Sequence, residues 1–235
     1  MGIDRNKEAP GWRKTLKYKR KTGKDAGNGG VPIITDNDND FSKKNVDKKT
    51  VHKYGLLHES VHIVIISGDG KKILLQQRGK AKKQWKEYWD IIGEHLVEGD
   101  HNPFIAAKNL FEVELRKNWS DGYPSFQFSI RGKLKYTGTD KNGKEITTID
   151  NEIRHVYVII TDIDESAIEA MNKELNSIEQ SKQETISFKW FDKKEFESKY
   201  LHNEIVPYNY WINCDKYDNF KSFMKKLKHF VTKMI

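Results

Sequence analysis

The sequence predicts an α/β fold in which helices cover a mixed sheet. Three observations predict it. Two apolar runs flank a turn at Gly68-Asp69-Gly70, an apolar pattern with helical spacing follows Asn102-Pro103, and strand-like and helical segments then alternate as far as Phe191. Strands interleaved with helices are typical of domains whose sheet is packed between helical layers.

The first predicted elements form a β-hairpin. Strands are expected over Val61 to Ser67 and Lys72 to Arg78, because both segments are apolar and the glycine-rich turn joins them. The next element is a helix with the sequence FIAAKNLFEVEL. Asn102 is its expected N-cap, with proline at the first helical position.

The second half of the sequence continues the alternation. Phe126 to Tyr136 alternates apolar and polar residues as a strand does, and Lys141 to Lys144 has the composition of a turn. A buried strand is expected at Ile153 to Thr161, a helix at Glu165 to Gln180 and a strand at Thr185 to Phe191.

Composition indicates one domain with extensions. The chain has 235 residues, of which 32% are charged, and the apolar 36% come in coherent runs. No run approaches the roughly 20 apolar residues that cross a bilayer, and no apolar signal region begins the chain. The single cysteine, Cys214, excludes an internal disulfide. A cytoplasmic or nuclear location without membrane contact is therefore expected; no feature predicts an oligomeric state.

Both ends differ from the central region, 49–212. Residues 12–24 carry seven Lys or Arg and no acid, so residues 1–48 are expected to form a flexible basic arm. The arm is either a solubilising tail or a segment that binds RNA, with Trp12 and Tyr18 available to stack on bases. In residues 213–235, an apolar stripe from Phe220 to Met234 predicts an amphipathic helix that docks on the domain.

Basic residues follow the second predicted strand. Arg78 ends it, and Lys82 and Lys83 come shortly afterwards, before Trp85 and Trp89. Arginine can grip phosphate oxygens with two parallel hydrogen bonds, and lysine adds a mobile positive charge. The segment is either an ordinary solvated surface or a binding site for a small phosphorylated substrate.

The same region resembles a known family. LLQQRGKAKKQWKEYWD followed by GEHLVEGD is similar to the start of the Nudix fold, in the branch that holds isopentenyl-diphosphate isomerase and related hydrolases. GLLHESVHIVII, DNEIRHVYVII and ETISFKWFDKKEF resemble other segments of that fold and occur in the same order. The resemblance covers about residues 50–212 and implies a Nudix-like α/β/α sandwich.

The Nudix box itself is degenerate. The family pattern is G-x5-E-x7-R-E-U-x-E-E-x-G-U, where U is aliphatic. Without gaps, Asp100 takes the first Glu position, Asn109 replaces a later Glu, and Glu112-Val113 stands for Glu-Glu. A register shifted by one residue uses Glu114 but loses the other matches. Metal-binding carboxylates are depleted in both registers.

The resemblance also implies a second group of metal ligands. In the isomerase-like branch, histidines and a pair of acids form a metal cluster, and the matching residues here are His52, His58, His95, Asp150 and Glu152. Imidazole and carboxylate ligands suit Mg²⁺, Mn²⁺ or Zn²⁺. Glu112 is a further candidate ligand from the box. His62 and His155 are interpreted as strand packing.

Two functions remain open. One is a metal-dependent hydrolase of a diphosphate linkage in a nucleotide or related small molecule, with Asp100, Glu112 and Glu152 as candidate bases or metal ligands. The other is an inactive Nudix-fold module that binds a phosphorylated ligand or RNA. Isomerisation is disfavoured, because the resemblance would require a cysteine near His95 and none is present. No serine has an identifiable base or acid neighbour.

Overall fold

A computed structural model describes residues 30–34, 44–82, 84–97, 99–100, 102–117, 124–139, 145–179 and 183–206. Its helices and strands, in chain order, are β1 (Val31–Ile33), β2 (Lys44–Val46), α1 (Lys48–Tyr54), β3 (His58–Ser67), β4 (Lys72–Arg78), β5 (Trp89–Asp90), β6 (Ile92–His95), α2 (Pro103–Leu115), β7 (Pro124–Thr139), β8 (Glu145–Thr161), α3 (Glu165–Leu175), β9 (Thr185–Asp192) and α4 (Lys193–Leu201).

The sheet is mixed, with β3 at its centre. β3 runs parallel to β8 over His58 to Ser67 and antiparallel to β6 and β4. β7 pairs with β8 along almost its whole length, while β9 and β5 pair with β4. The parallel pair is bordered by antiparallel ones, so the mixed sheet predicted from the sequence is confirmed.

Alternating residues of the sheet form two cores. Val61, Ile63 and Ile65 of β3 pack on one face with apolar residues of α2 and α3. Val64 and Ile66 pack on the other face with residues that include Phe196 of α4. Because successive side chains of a strand point to opposite faces, both cores require strands that are apolar at nearly every position. The α/β/α sandwich is confirmed.

Several predicted elements occur where expected. β4 matches its prediction, β3 starts three residues earlier than predicted, and Asn102 caps α2 by accepting a hydrogen bond from the Phe104 backbone N–H at 2.9 Å. β7 and β8 are longer than predicted, because they support each other as one antiparallel pair. α3 ends at Leu175 rather than Gln180.

The arm predicted over residues 1–48 is wrong at its C-terminal end. Val31–Ile33 and Lys44–Val46 pair as β1 and β2, and Ile33 pairs with His58 of β3. Val31 is buried, which gives this short hairpin an anchor that the polar composition of residues 25–50 concealed. α1 then begins after Asp47, whose side chain accepts from the Thr50 backbone N–H.

Other predictions fall outside the described residues. They are the basic segment 12–24, the turn at 141–144 and the C-terminal helix over 213–235 with Cys214. Within the described residues, no helix is both long enough and apolar enough to span a membrane.

Candidate functional site

Five potential metal ligands converge at one end of the β3–β8 pair. His58 begins β3 and is paired with Glu152 of β8, so their side chains share a face of the sheet. His95 ends β6 opposite Ser60, and Asp150 lies two residues before Glu152 on the same face. His52 comes from α1. We call these five residues, His52, His58, His95, Asp150 and Glu152, the histidine–acid cluster.

The ligand atoms of this cluster lie close to one another. His52 Nε2 is 3.1 Å from His95 Nε2 and 3.6 Å from Asp150 Oδ1. His58 Nε2 is 3.6 Å from Asp150 Oδ1 and 3.5 Å from Glu152 Oε1. Glu152 Oε1 also lies 3.2 Å from His95 Nε2. Each of the five side chains therefore has a potential ligand atom within 3.6 Å of one from another member of the cluster.

Two buried atoms in the cluster have no hydrogen-bond partner. They are His58 Nε2 and Asp150 Oδ1, both with almost no solvent access. A buried polar atom without a partner is costly and calls for an explanation such as an ion. In the described part of the chain, His52, His58, His95 and Asp150 are a group with ligand atoms all within 4.8 Å of one another. The donor set, with three imidazoles and two carboxylates, fits a divalent transition metal or Mg²⁺.

Arg154 stands behind the cluster. Its side chain is completely buried, its Nε donates to Glu152 Oε2 at 2.6 Å, and its Nη2 lies 3.8 Å from Asp150 Oδ2. Arg154 is two residues after Glu152 on β8, which places both side chains on the same face. It holds one oxygen of Glu152 and leaves the other directed at the histidines.

The electrostatics of the cluster favour ionised Glu152. Burial by itself would raise the pKa of Glu152, but its contacts with His58 and His95 and the charge of Arg154 hold that pKa well below its usual range. Burial would lower the pKa of His58, but Glu152 outweighs it and raises that pKa. Burial, followed by the charge of Lys48, lowers the pKa of His95 to about 4. Glu152 thus presents a negative charge to His58 and His95.

Cationic side chains lie beside the cluster. Burial and the charge of Lys82 lower the pKa of Lys48, while Asp150, Glu152 and Glu184 act in the opposite direction. Lys82 Nζ donates to Glu184 Oε2 at 2.5 Å. Lys48 is exposed at the start of α1, and its charge interacts with those of Lys82, Asp150 and Glu152. Two neighbouring cations of this kind suit a multiply charged anion.

Hydrogen bonds of Gln84 hold the loop that contains Trp85 against β7 and β8. Gln84 donates to Thr148 Oγ1 at 2.9 Å, and Tyr136 Oη donates to Gln84 Oε1. Thr148 is two residues before Asp150 on β8. Trp85 packs near Tyr136, with ring centroids 5.8 Å apart, and has a left-handed backbone with φ of 52°. The loop between β4 and β5 that contains Trp85, which we call the tryptophan loop, is thereby held against β8, the strand that carries Asp150 and Glu152.

The structure places the other predicted site residues differently. Arg78 forms a 2.6 Å ion pair with buried Asp90, and Lys83 lies outside the described residues. Asp100 accepts from the Val97 backbone N–H within its own turn, and Glu112 lies 3.9 Å from Lys108 on α2. The set of four mutually close ligands contains neither acid. The roles predicted for Asp100, Glu112 and Arg78 stay predictions.

Two residues of the site were missed in the sequence. Lys48 lies four residues before His52, and residues with that spacing share a face of a helix. Arg154 lies two residues after Glu152, a spacing that places both on one face of a strand. Both signals depend on knowing that α1 is a helix and that β8 faces the histidines.

Comparison with known proteins agrees with this architecture. The family model described as NUDIX domain matches residues 56–212. A protein named isopentenyl-diphosphate Delta-isomerase from Dictyostelium discoideum is 31% identical over 150 residues, which cover 55% of this chain and 59% of that protein. The match thus spans less than two thirds of the relative's length.

The solved structures to which the chain is similar have low sequence identity and TM-scores below 0.5. DR0079 from Deinococcus radiodurans has a TM-score of 0.47 and 8% identity, covering 76% of this chain and 93% of that one. The NUDIX domain of NrtR from Shewanella oneidensis, in complex with ADP ribose, has a TM-score of 0.34 and 12% identity, covering 65% and 79%. The NUDIX domain model matches residues 56–212, which are well over half of this chain. The chain therefore belongs to the Nudix domain family.

Proposed function

We propose that this protein is a divalent-metal-dependent hydrolase of a diphosphate linkage in a nucleotide or related small molecule. The observation that supports it best is the histidine–acid cluster, with the unpartnered buried atoms His58 Nε2 and Asp150 Oδ1 directed into it. The charge of Lys48 acts on Asp150 and Glu152, and that of Lys82 acts on Lys48, so both cations would help to hold a diphosphate.

Different residues of the site have different proposed roles. The five residues of the histidine–acid cluster would hold Mg²⁺, Mn²⁺ or Zn²⁺, which supplies Lewis-acid neutralisation of phosphate oxygens. Lys48 and Lys82 hold the anion, and Tyr136 with Gln84 keeps the tryptophan loop beside it. Arg154 fixes Glu152 with one free oxygen. Because its pKa is held low, Glu152 serves as a ligand rather than as the proton acceptor.

Isomerisation of the kind named for the Dictyostelium relative is not proposed. The turn before His95 carries Gly93 and no cysteine. A Cβ atom at position 93 would lie 3.0 Å from His62 Cδ2, so the imidazole of His62 occupies the space that a side chain at this position would need. A proton-donating side chain at residue 93 is absent and would not fit without movement of His62.

The second candidate function is a binding module without hydrolysis. It is favoured by the surface of α2, where Val113 is 45% exposed at a box position that usually carries a carboxylate, and where Glu112 contacts Lys108. Such a module would bind a phosphorylated ligand, or RNA, through the same cations and would not need the ion for binding.

A substrate screen distinguishes the two. The full chain should be incubated with nucleoside diphosphate derivatives, dinucleoside polyphosphates, capped RNA and isoprenyl diphosphates, each with Mg²⁺ or Mn²⁺, and products measured by chromatography. Hydrolysis that EDTA abolishes and that Glu152→Gln reduces by at least about 100-fold supports the hydrolase. Tight metal-independent binding without product from any compound favours the binding module.

Metal binding is tested separately by the thermal shift that Mn²⁺ produces. His52→Ala should reduce that shift, since an ion that binds only the folded state stabilises it in proportion to its affinity. His202→Ala is the matched control, because His202 is exposed and bonded to the Ser198 carbonyl, away from the cluster. Equal shifts in both variants would contradict the metal site.

A further inference from the structure

A second group of polar side chains lies on the opposite face of the sheet. Ser129 Oγ is 2.9 Å from His155 Nδ1, and His155 Nε2 is 3.1 Å from Glu59 Oε1. Ser129 and His155 are direct partners in the β7–β8 pair, and Glu59 is on the adjacent strand β3. Three neighbouring strands thus align a hydroxyl, an imidazole and a carboxylate in one row.

The order of the three groups fixes the proton on the imidazole. An ionised carboxylate can only accept hydrogen bonds, so the proton of neutral His155 lies on Nε2 and points to Glu59. Nδ1 is then left with its lone pair and accepts the hydrogen bond from the Ser129 hydroxyl. This is the arrangement in which an imidazole serves as a base for a serine while a third group orients it.

This row is separate from the histidine–acid cluster. Glu59 and His155 are the chain neighbours of His58 and Arg154, and neighbouring residues on a strand point to opposite faces. Ser129 is exposed, whereas His155 and Glu59 are largely buried, with 19% and 17% of their side chains accessible. The hydroxyl is therefore open to a reagent, while the base and the acid are held in place.

We propose that Ser129, His155 and Glu59 form a nucleophilic centre that accepts an acyl group from an activated ester or thioester. Ser129 Oγ forms a bond to the acyl carbon as its proton passes to His155 Nδ1. The bond from the acyl carbon to the leaving oxygen or sulfur breaks, and His155 returns the proton to that atom. Water then adds to the acyl-serine with His155 as base, releasing the acid and the free serine.

The edge of the sheet offers donors for the charge that develops on the acyl oxygen. Among the described strands, β7 pairs only with β8, so alternate N–H groups of β7 point away from the sheet. Backbone N–H groups are the usual stabilisers of such an oxygen.

The centre is tested with a fluorophosphonate probe and peptide mass spectrometry on the full chain. Ser129 should be labelled at least about ten times faster than Ser177, an exposed serine whose hydroxyl donates to a backbone carbonyl. His155→Gln should reduce labelling of Ser129 to the rate of Ser177, and Glu59→Gln should reduce it by at least about tenfold. Thermal unfolding of each variant checks that the fold is kept.

Turnover is measured with p-nitrophenyl acetate and one acyl thioester. Ser129→Ala should abolish ester cleavage, whereas Ser177→Ala should keep the parent rate. Addition of EDTA to the parent protein should leave ester cleavage unchanged, because the histidine–acid cluster lies on the other face of the sheet. If Ser129 is labelled no faster than Ser177, or if His155→Gln labels at the parent rate, the centre is refuted. Loss of ester cleavage on addition of EDTA would also contradict the independence of the two sites.

Discussion

Arg154 and Glu152 form a buried pair in which the arginine takes one carboxylate oxygen and the histidines take the other. Arg154 Nε donates to Oε2 at 2.6 Å, and Oε1 lies 3.2 Å from His95 Nε2. Both side chains are almost fully buried. The arrangement keeps Glu152 ionised and leaves only its Oε1 facing the histidines.

Loss of Arg154 should therefore destabilise the fold. Arg154→Met is expected to lower the free energy of unfolding by about 3–5 kcal/mol, since it leaves a buried carboxylate without its cation. Urea denaturation measures the change. The double variant Glu152→Gln with Arg154→Met should recover a large part of the loss, because both charges are then removed together. A loss below about 1 kcal/mol in the single variant would show that the pair is not needed.

Lys82 should matter for binding of inorganic diphosphate. Lys82→Ala is expected to weaken the affinity by about fivefold or more, because it removes a partly buried cation beside Lys48. Lys72→Ala is the matched control, since Lys72 also pairs with a glutamate, Glu165, on the exposed surface. Calorimetry at two salt concentrations gives both affinities. Equal effects of the two substitutions would remove Lys82 from the binding site.

His62 should make the fold sensitive to acid. Burial lowers its pKa to about 4 in the folded protein, against about 6.5 in the unfolded chain. The unfolded state then binds more protons between these values, so stability falls as the pH drops from about 6.5 to 4 and is unaffected above that range. Between pH 7 and pH 5, this one residue lowers the free energy of unfolding by about 2 kcal/mol.

The measurement is urea denaturation at pH 7 and pH 5 for the parent and His62→Leu. On acidification, the free energy of unfolding should fall by about 2 kcal/mol less in the variant than in the parent. The pH dependence that remains in the variant comes from other groups such as His95. An identical pH dependence in both proteins would mean that His62 is protonated in the folded state or is not buried there.

Gly55 should be essential for the position of α1, which carries His52. It ends the helix with a φ of 63°, and a Cβ atom would lie 2.6 Å from Ile149 Cγ2. Gly70 has a similar φ of 69° but open space around it. Gly55→Ala is thus expected to cost at least about 1 kcal/mol more than Gly70→Ala, because only the first adds a clash to the backbone strain.

Thermal unfolding of both glycine variants tests this difference. The thermal shift produced by Mn²⁺ should also be smaller in Gly55→Ala, since displacement of α1 moves His52. Similar stability and similar metal response in the two variants would contradict the close packing of α1 on β8.

Elements of the fold could be predicted where their sequence signals are local. The hairpin of β3 and β4 and the helix after Asn102 follow from periodicity and capping within a dozen residues. β1 and β2 were missed because three-residue strands carry little pattern, and only the pairing of Ile33 with His58 gives them a place in the sheet. The full length of β7 and β8 was also missed. The outer ends of these strands are stabilised by pairing with each other, and a local pattern does not show that pairing.

The sequence by itself determined the family, the sheet between helices and the identity of the five residues in the histidine–acid cluster, because motif order and residue type can be seen along the chain. Only the tertiary structure decided which side chains meet. The parallel pairing of β3 with β8 sets His58 beside Glu152, and the alternation of side chains gives one face Arg154 and the other His155. Lys48, Arg154 and the Ser129–His155–Glu59 row depend on contacts between residues far apart in the chain, which no local pattern encodes.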